Sequence, residues 1–354
     1  MVQPMPDGFY SSPFWAGYLE TQRSKLPVLP KIDDGLSACV VRFLGCNPGS
    51  MQLQGTNTYL VGTGSTRILI DTGEGASQWA LNVTRYLEDH DISISHVLIT
   101  HWHKDHTGGI DDLLAHDSKI TVYKHRPNQG QLAIVNGQIF QTQGATLRAV
   151  LTPGHSVDHM CFLLEEENAL FTGDNVLGHG YSVAEDLEAY TASLRLTASL
   201  NCGLGYPGHG DVISNLPQTI AKYIAQRLSR EKQIYAVLAL KASSSSLSRN
   251  VSSASSVWSI RSGSAGGASN SGNHHDDEDE NVMDTVQGLS TAEIGGLIYG
   301  EVSKNSAIFD SAVGPLLNQV LYMLLERGKI GSRLVGPDNT RHWFAIVLCD
   351  NEES

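Results

Sequence analysis

Between Ala38 and Phe171 the apolar residues fall in short runs interrupted by Gly, Asn and Pro, the pattern of strands rather than of a helical bundle. Cys39 to Leu44, Thr58 to Val61 and Arg67 to Ile70 read as meander strands, and Asp71-Thr72-Gly73 closes the third. From Ser77 to His90 the spacing becomes that of an amphipathic helix, which leads into a buried strand, Ser95 to Thr100. A further helix is expected from Thr107 or Gly108. Beyond it, Ile120 to Tyr123, Thr146 to Leu151, Met160 to Leu164 and Ala169 to Phe171 read as strands, each followed by a polar or Gly-rich turn. Helices interrupt the strands without settling into a βαβ repeat, so the predicted class is α+β.

Downstream, Leu216 to Leu240 sets Ile220, Ile224, Leu228, Ile234, Val237 and Leu238 at helical spacing, which core packing explains. Residues 242–281 then change character: SSSSLSRNVSSASS, SGSAGGASNSG and HHDDEDE carry too little apolar surface to bury, which predicts a disordered linker. His274 and His275 belong with the solvated acidic run that follows them. Order returns at Leu289, where Ser290 and Glu293 form a capping box for a helix to Tyr299. A longer helix from Val313 to Arg327 and an apolar strand from Trp343 to Leu348 complete the chain. Ahead of all this, Phe9, Tyr10, Phe14, Trp15 and Tyr18 and a Pro-broken LPVLP stretch mark an arm that docks on the body. The predicted organisation is an arm over 1–36, a main domain over 37–241, a linker over 242–285 and a small C-terminal domain over 286–354.

Composition narrows the partners. The chain has 354 residues, 41% apolar and 17% charged, enough for one large domain and a small one. A formal charge of -13 repels phosphate backbones at long range and disfavours nucleic acid as a partner. Cys39, Cys46, Cys161, Cys202 and Cys349 are scattered, without C-x-x-C spacing, and read as reduced thiols. The first residues show neither a basic n-region nor an apolar h-region, and no later run has the length of a membrane helix. The expectation is a soluble cytoplasmic protein with no membrane partner.

One stretch changes the picture. His101, His103, Asp105 and His106 follow the Ser95 to Thr100 strand as H-x-H-x-D-H, and neutral imidazole with carboxylate suits Zn²⁺. Three later fragments each put another ligand type, flanked by glycine, after an apolar strand: Thr152-Pro153-Gly154-His155-Ser156, Phe171-Thr172-Gly173-Asp174-Asn175 and Tyr206-Pro207-Gly208-His209-Gly210. The set divides into His101, His103 and His155 for a first ion and Asp105, His106 and His209 for a second, with the Asp174 carboxylate able to bridge them. His90, His96, His116, His125, His159, His179 and His342 lack such settings and read as core or surface residues, with His159 and His179 the nearest in sequence to the site.

The ordered set HWHKDH, PGHS, TGDN and PGHG resembles the metallo-β-lactamase superfamily over about residues 37 to 215, with every ligand position filled. That resemblance implies an αββα sandwich with two zinc ions at one edge, and a small winged-helix-like C-terminal domain. More narrowly, NPGSMQLQGTNTYLVGTG, ILIDTGEG, THWHKDHTGG and FTGDNVLGHG are similar to the fungal thioesterases of the atrochrysone-carboxyl acyl-carrier-protein group. The same stretches resemble the β-lactamase-like-protein-2 branch, linked to RNA cleavage. The first likeness implies hydrolysis of an aromatic polyketide thioester on the acyl carrier protein of a non-reducing polyketide synthase. Paired zinc ions roughly 3.5–4 Å apart present hydroxide to such a carbonyl, with Asp105 as ligand and catalytic residue. A thiol of pKa about 8.5 leaves without a general acid, which favours thioesters over amides. A metal-dependent endoribonuclease and a glyoxalase-II-like hydrolase of glutathione thioesters are the competing readings. Lys124, Arg126 and Arg148 are candidates for a basic patch that docks the carrier protein.

Overall fold

The computed structural model describes residues 17, 20, 21, 23–256 and 288–346. The aromatic residues expected in an N-terminal arm and the acidic HHDDEDE run lie outside them. Two sheets dominate. The first is seven-stranded, in the order β1 (Ile32–Asp33), β2 (Val40–Leu44), β3 (Asn57–Val61), β4 (Thr66–Ile70), β5 (Ser93–Leu98), β6 (Thr121–Lys124) and β7 (Leu132–Ala133). Strands β1 to β4 pair antiparallel, as a meander requires, and β4 to β7 pair parallel. The second sheet holds β8 (Ile139–Thr142), β9 (Ala145–Leu151), β10 (Met160–Leu164), β11 (Ala169–Gly173) and β12 (Leu204–Pro207), in the order β12-β11-β10-β9-β8.

The two-residue period of the strands sorts the core into layers. Val40, Tyr59, Val61, Ile68, Ile70 and Leu98 pack against Leu147, Ala149, Phe162, Leu164 and Phe171 of the second sheet. Their neighbours Val41, Phe43, Leu60, Leu69 and Val97 face the other way, onto α1 (Ser77–Asp89) and the helix over Ile110–His116. Trp79 of α1 is fully buried there, and its indole N–H donates to Thr58 Oγ1 at 2.9 Å. On the second sheet, Gly205 of β12 lies against Leu216, the first residue of a helix over Leu216–Ser256, and a helix over Leu187–Ser199 buries Leu187, Tyr190 and Leu194. The layering is helix, sheet, sheet, helix.

Chain contacts divide the described residues into two compact units, with the boundary between Arg227 and Leu228, so the division falls within the helix over Leu216–Ser256. In the second unit, β13 (Leu289–Ser290), β15 (Thr340–Ala345) and β14 (Ile330–Val335) form an antiparallel sheet with helices over Thr291–Tyr299 and Gly314–Glu326. The capping box at Ser290 and Glu293 forms as expected.

Several elements differ from the sequence reading. The Leu216 helix runs on to Ser256, through residues assigned to the linker, because neither Gly nor Pro interrupts the chain between Pro217 and Gly263. The last strand starts at Thr340, not Trp343, since Gly336 and Asn339 close a tight turn at positive φ and the polar residues after it pair with β14. Residues 347–354 lie outside the described residues. The Leu187–Ser199 helix was not read at all: its buried positions include Thr191, Ser193 and Thr197, which dilute the apolar periodicity. Its N-terminal signal is Asp186, whose carboxylate accepts from Glu188 N–H and Ala189 N–H. The helix expected from Thr107 or Gly108 comes in two pieces, α2 (Lys104–Thr107) and α3 (Ile110–His116).

Candidate metal centre

Strand direction gathers the ligand candidates. Since β10 pairs antiparallel with β9 and β11, and β11 pairs parallel with β12, strands β9, β11 and β12 all end at one edge of the second sheet. His155, Asp174 and His209 follow those three ends, and His101 to His106 follow the end of β5 in the other sheet. Met160 N–H donates to Thr100 O at 2.8 Å and Asn57 N–H to Gly208 O at 2.7 Å, which joins the two sheets at this edge.

All the sequence-selected residues meet there. His103 Nδ1 lies 2.9 Å from His101 Nε2 and 3.1 Å from His155 Nε2. Asp105 Oδ2 lies 3.2 Å from His209 Nε2 and 3.5 Å from His106 Nε2. Asp174 stands between the two groups: Oδ1 is 3.6 Å from His106 Nε2, and Oδ2 is 3.3 Å from His209 Nε2 and 3.6 Å from His155 Nε2. Each trio, His101-His103-His155 and Asp105-His106-His209, has one donor atom per residue, all within 4.8 Å of one another. His106 Nε2 and Asp174 Oδ1 are buried without a hydrogen-bond partner. Buried polar atoms need a partner, and a cation held by these lone pairs would supply it, so the residues fit a metal.

The charge balance points the same way. Burial holds the His101 and His103 imidazoles neutral, the latter at about 4. Burial also opposes charge on His106 and His209, but Asp174 and Asp105 outweigh it and raise His209 to about 9 and His106 well above the ordinary histidine value. Burial would lift the Asp105 and Asp174 carboxyls, yet the neighbouring imidazoles hold both below the usual carboxylate range. The two carboxylates therefore favour positive charge beside them, which a cation held by the imidazole lone pairs would supply.

A second tier of residues sets the tautomers. Asp71, which the sequence reading placed only at a strand end, accepts from Thr100 N–H at 2.8 Å, from Thr100 Oγ1 at 2.8 Å and from His106 Nδ1 at 2.8 Å. With the Thr100 hydroxyl proton so engaged, its oxygen receives His101 Nδ1–H at 2.9 Å, which leaves Nε2 as the lone-pair donor. His155 Nδ1 donates to Val183 O at 3.0 Å, with the same effect. His159 is no ligand candidate: its Nε2 accepts from Asp174 N–H at 3.0 Å and its Nδ1 meets Thr152 Oγ1, so it fixes the backbone that carries Asp174. The His209 loop is clamped by Asn57, whose amide donates to Pro207 O at 2.9 Å and Gly210 O at 2.8 Å, and by Tyr59 OH, which donates to Pro207 O at 2.7 Å.

The signal for Asp71 was present: an acidic residue directly after the apolar Ile68-Leu69-Ile70, at a strand end as Asp174 is. Of the three candidates for a basic docking patch, Lys124 is not at the surface, whereas Arg126 is exposed. Lys124 alternates inward on β6, is only 4% exposed and pairs with Asp158 at 3.6 Å, while Arg148 pairs with Glu165. His90, His96, His125 and His342 take hydrogen bonds elsewhere and do not join the cluster. Among the described residues no helix is long and apolar enough to cross a membrane, and Cys39, Cys46, Cys161 and Cys202 are free.

Comparison with known proteins gives the following. Residues 52–209 match the model of the metallo-beta-lactamase superfamily. Thioesterase pkgB of Emericella nidulans is 77% identical over 330 residues, 92% of this chain and 94% of its own length. Lactamase-like protein adaB of Aspergillus niger is 46% identical over 339 residues, 95% of each chain. Among solved structures, a beta-lactamase domain protein from Burkholderia ambifaria superposes with a TM-score of 0.65 at 15% identity, covering 97% of this chain and all of its own, a likeness of fold.

Proposed function

Because the chain belongs to the metallo-β-lactamase superfamily of hydrolases, we propose that it is a zinc-dependent thioesterase acting on an aromatic polyketide held as a thioester on an acyl carrier protein. The observation that carries this reading is the complete ligand set, gathered at one sheet edge, in a chain 77% identical to a thioesterase. His101, His103 and His155 would hold one Zn²⁺, Asp105, His106 and His209 a second, and Asp174 would touch both. Bound zinc lowers the pKa of water and polarises a carbonyl.

The chain's own groups do the rest. Asp105 is the carboxylate of the site most open to solvent, its side chain 15% exposed against 10% for Asp174. It is held deprotonated, and Thr56 Oγ1 at 3.5 Å and His209 Nε2 orient Oδ2. That oxygen takes the proton of the attacking water as the new C–O bond forms. The C–S bond then breaks and the sulfur leaves as thiolate, since a thiol pKa of about 8.5 requires no proton donor. The proton taken up by Asp105 then passes through solvent to the thiolate, so the products are a free carboxylic acid and the thiol of the carrier arm, with Asp105 again a carboxylate. A carrier protein in the cytoplasm is the partner this reading requires; the free cysteines accord with a reducing compartment.

The test is to incubate the purified protein with an acyl carrier protein loaded with an aromatic polyketide chain and measure released acid by mass spectrometry, with Asp105→Ala as control. Zinc-dependent release that the control lacks is the expected result. No release, together with zinc-dependent cleavage of a model RNA, would replace the thioesterase with a nuclease.

A further inference from the structure

Three large apolar side chains that remain in solvent stand beside the metal centre: Trp102 at 50% exposure, Val157 at 46% and Tyr181 at 48%. Trp102 lies between His101 and His103 in the chain, and its ring meets the His103 imidazole edge-on at 4.5 Å. Val157 follows His155 by two positions. Tyr181 precedes Ser182, whose hydroxyl donates to Asp174 O at 2.5 Å and sits 3.2 Å from His155 Nδ1. The His101–His106 loop, the His155 loop and the segment that braces Asp174 therefore each carry one exposed apolar group, and exposed aromatic surface beside a reactive site marks a binding surface.

The surface is held in place from beneath. Asp158, 1% exposed, accepts from Trp102 N–H at 3.3 Å and from Ser156 Oγ at 2.9 Å, and pairs with the buried Lys124 at 3.6 Å. Burying that pair costs desolvation that the attraction barely offsets, so its evident effect is to tie the Trp102 loop to the Val157 loop. Tyr181 is backed by the Tyr223 ring at 4.9 Å.

We infer that Trp102, Val157 and Tyr181 form the acyl-binding wall of this hydrolase, and that the wall selects a flat aromatic acyl group over a linear aliphatic one. Two half-exposed aromatic rings offer stacking faces to a rigid ring system, and stacking adds to simple area burial. A flexible alkyl chain gains no stacking there and must also surrender its torsional freedom.

This inference rests on the thioesterase reading, and its test separates the two. The zinc-loaded protein and its Trp102→Ala, Trp102→Phe and Tyr181→Ala variants are assayed with the N-acetylcysteamine thioesters of 2-naphthoic and decanoic acids. Metal content and the affinity for free 2-naphthoate are measured in parallel by elemental analysis and equilibrium dialysis. Trp102→Ala should raise KM for the naphthoyl ester and weaken naphthoate binding, each about two- to tenfold, with bound metal unchanged and the decanoyl ester less affected. Trp102→Phe should restore most of the loss. Equal effects on both esters, or none on either, overturn the wall. If the wild type cleaves neither ester, the thioesterase reading fails, and naphthoate binding still decides the wall: loss in Trp102→Ala supports it, unchanged binding overturns it.

Discussion

Replacing Asp71 with Asn would remove a charge that never touches the metal ligand atoms directly, yet it should cost metal. The Asp71 carboxylate receives three donors at 2.8 to 3.1 Å, Thr100 N–H, the Thr100 hydroxyl shared between both its oxygens, and His106 Nδ1–H, and the residue is 1% exposed. Its φ of 58° is one that asparagine adopts readily, so the substitution leaves the backbone intact and isolates the chemistry. An amide has one accepting oxygen. If that oxygen stays with Thr100 N–H, the amide N–H₂ faces His106 Nδ1 and forces the proton to Nε2, where it blocks the lone pair. If the amide flips, two donors face each other at Thr100. Partners of this kind contribute roughly 10–100-fold in metal affinity, about 1.4 to 2.7 kcal/mol. The ion at His106 should be the first lost. Dialysis against graded concentrations of a chelator, with elemental analysis of the retained protein, measures this. A chelator midpoint for Asp71→Asn equal to that of the parent would refute the tautomer argument, because the hydrogen bond would then have no bearing on the ligand.

Other perturbations follow from the same geometry. Asn57→Ala leaves Gly210 O without its side-chain donor and Pro207 O with Tyr59 OH alone, and should weaken the ion at His209 by about 1–3 kcal/mol before the ion at His101 responds, which stepwise chelator competition resolves; parallel loss of both ions would speak against the clamp. Gly154→Ala puts a methyl into the backbone of Tyr190 at a φ of 129°, so it should destabilise by more than about 2 kcal/mol in urea unfolding, and a parental midpoint would show the contact to be soft. Lys124→Met leaves Asp158 buried without its counter-ion and should cost about 3–5 kcal/mol of stability, read as a fall in Tm; an unchanged Tm would mean that Ser156 and Trp102 N–H suffice for the carboxylate.

Much of the candidate site was legible because its candidate ligands are close in sequence or stand at strand ends marked by glycine. The layering was legible too, since Val40/Val41, Tyr59/Leu60 and Ile68/Leu69 alternate faces with the strict period of a sheet buried on both sides. Other features depend on distance along the chain that no local pattern records. Asp71 reaches His106, Asn57 reaches Pro207, and Lys124 reaches Asp158. The last of these misled: a lysine between a tyrosine and a histidine reads as a surface charge, and only strand register shows that it points inward. The Leu187–Ser199 helix was hidden for another reason, its inward Thr and Ser being polar by composition but buried through bonds to the preceding turn, as in Thr191 Oγ1 to Leu187 O at 2.7 Å.

The central claim is that this ligand set holds a pair of metal ions on which thioester hydrolysis depends. Titrating metal-free protein with zinc, while following bound metal and the release of acid from an aryl thioester together, tests it most directly. The account predicts that binding saturates at two ions per chain, that hydrolysis rises with that occupancy, and that Asp174→Ala loses both. Saturation at one ion, or hydrolysis indifferent to zinc, would contradict it.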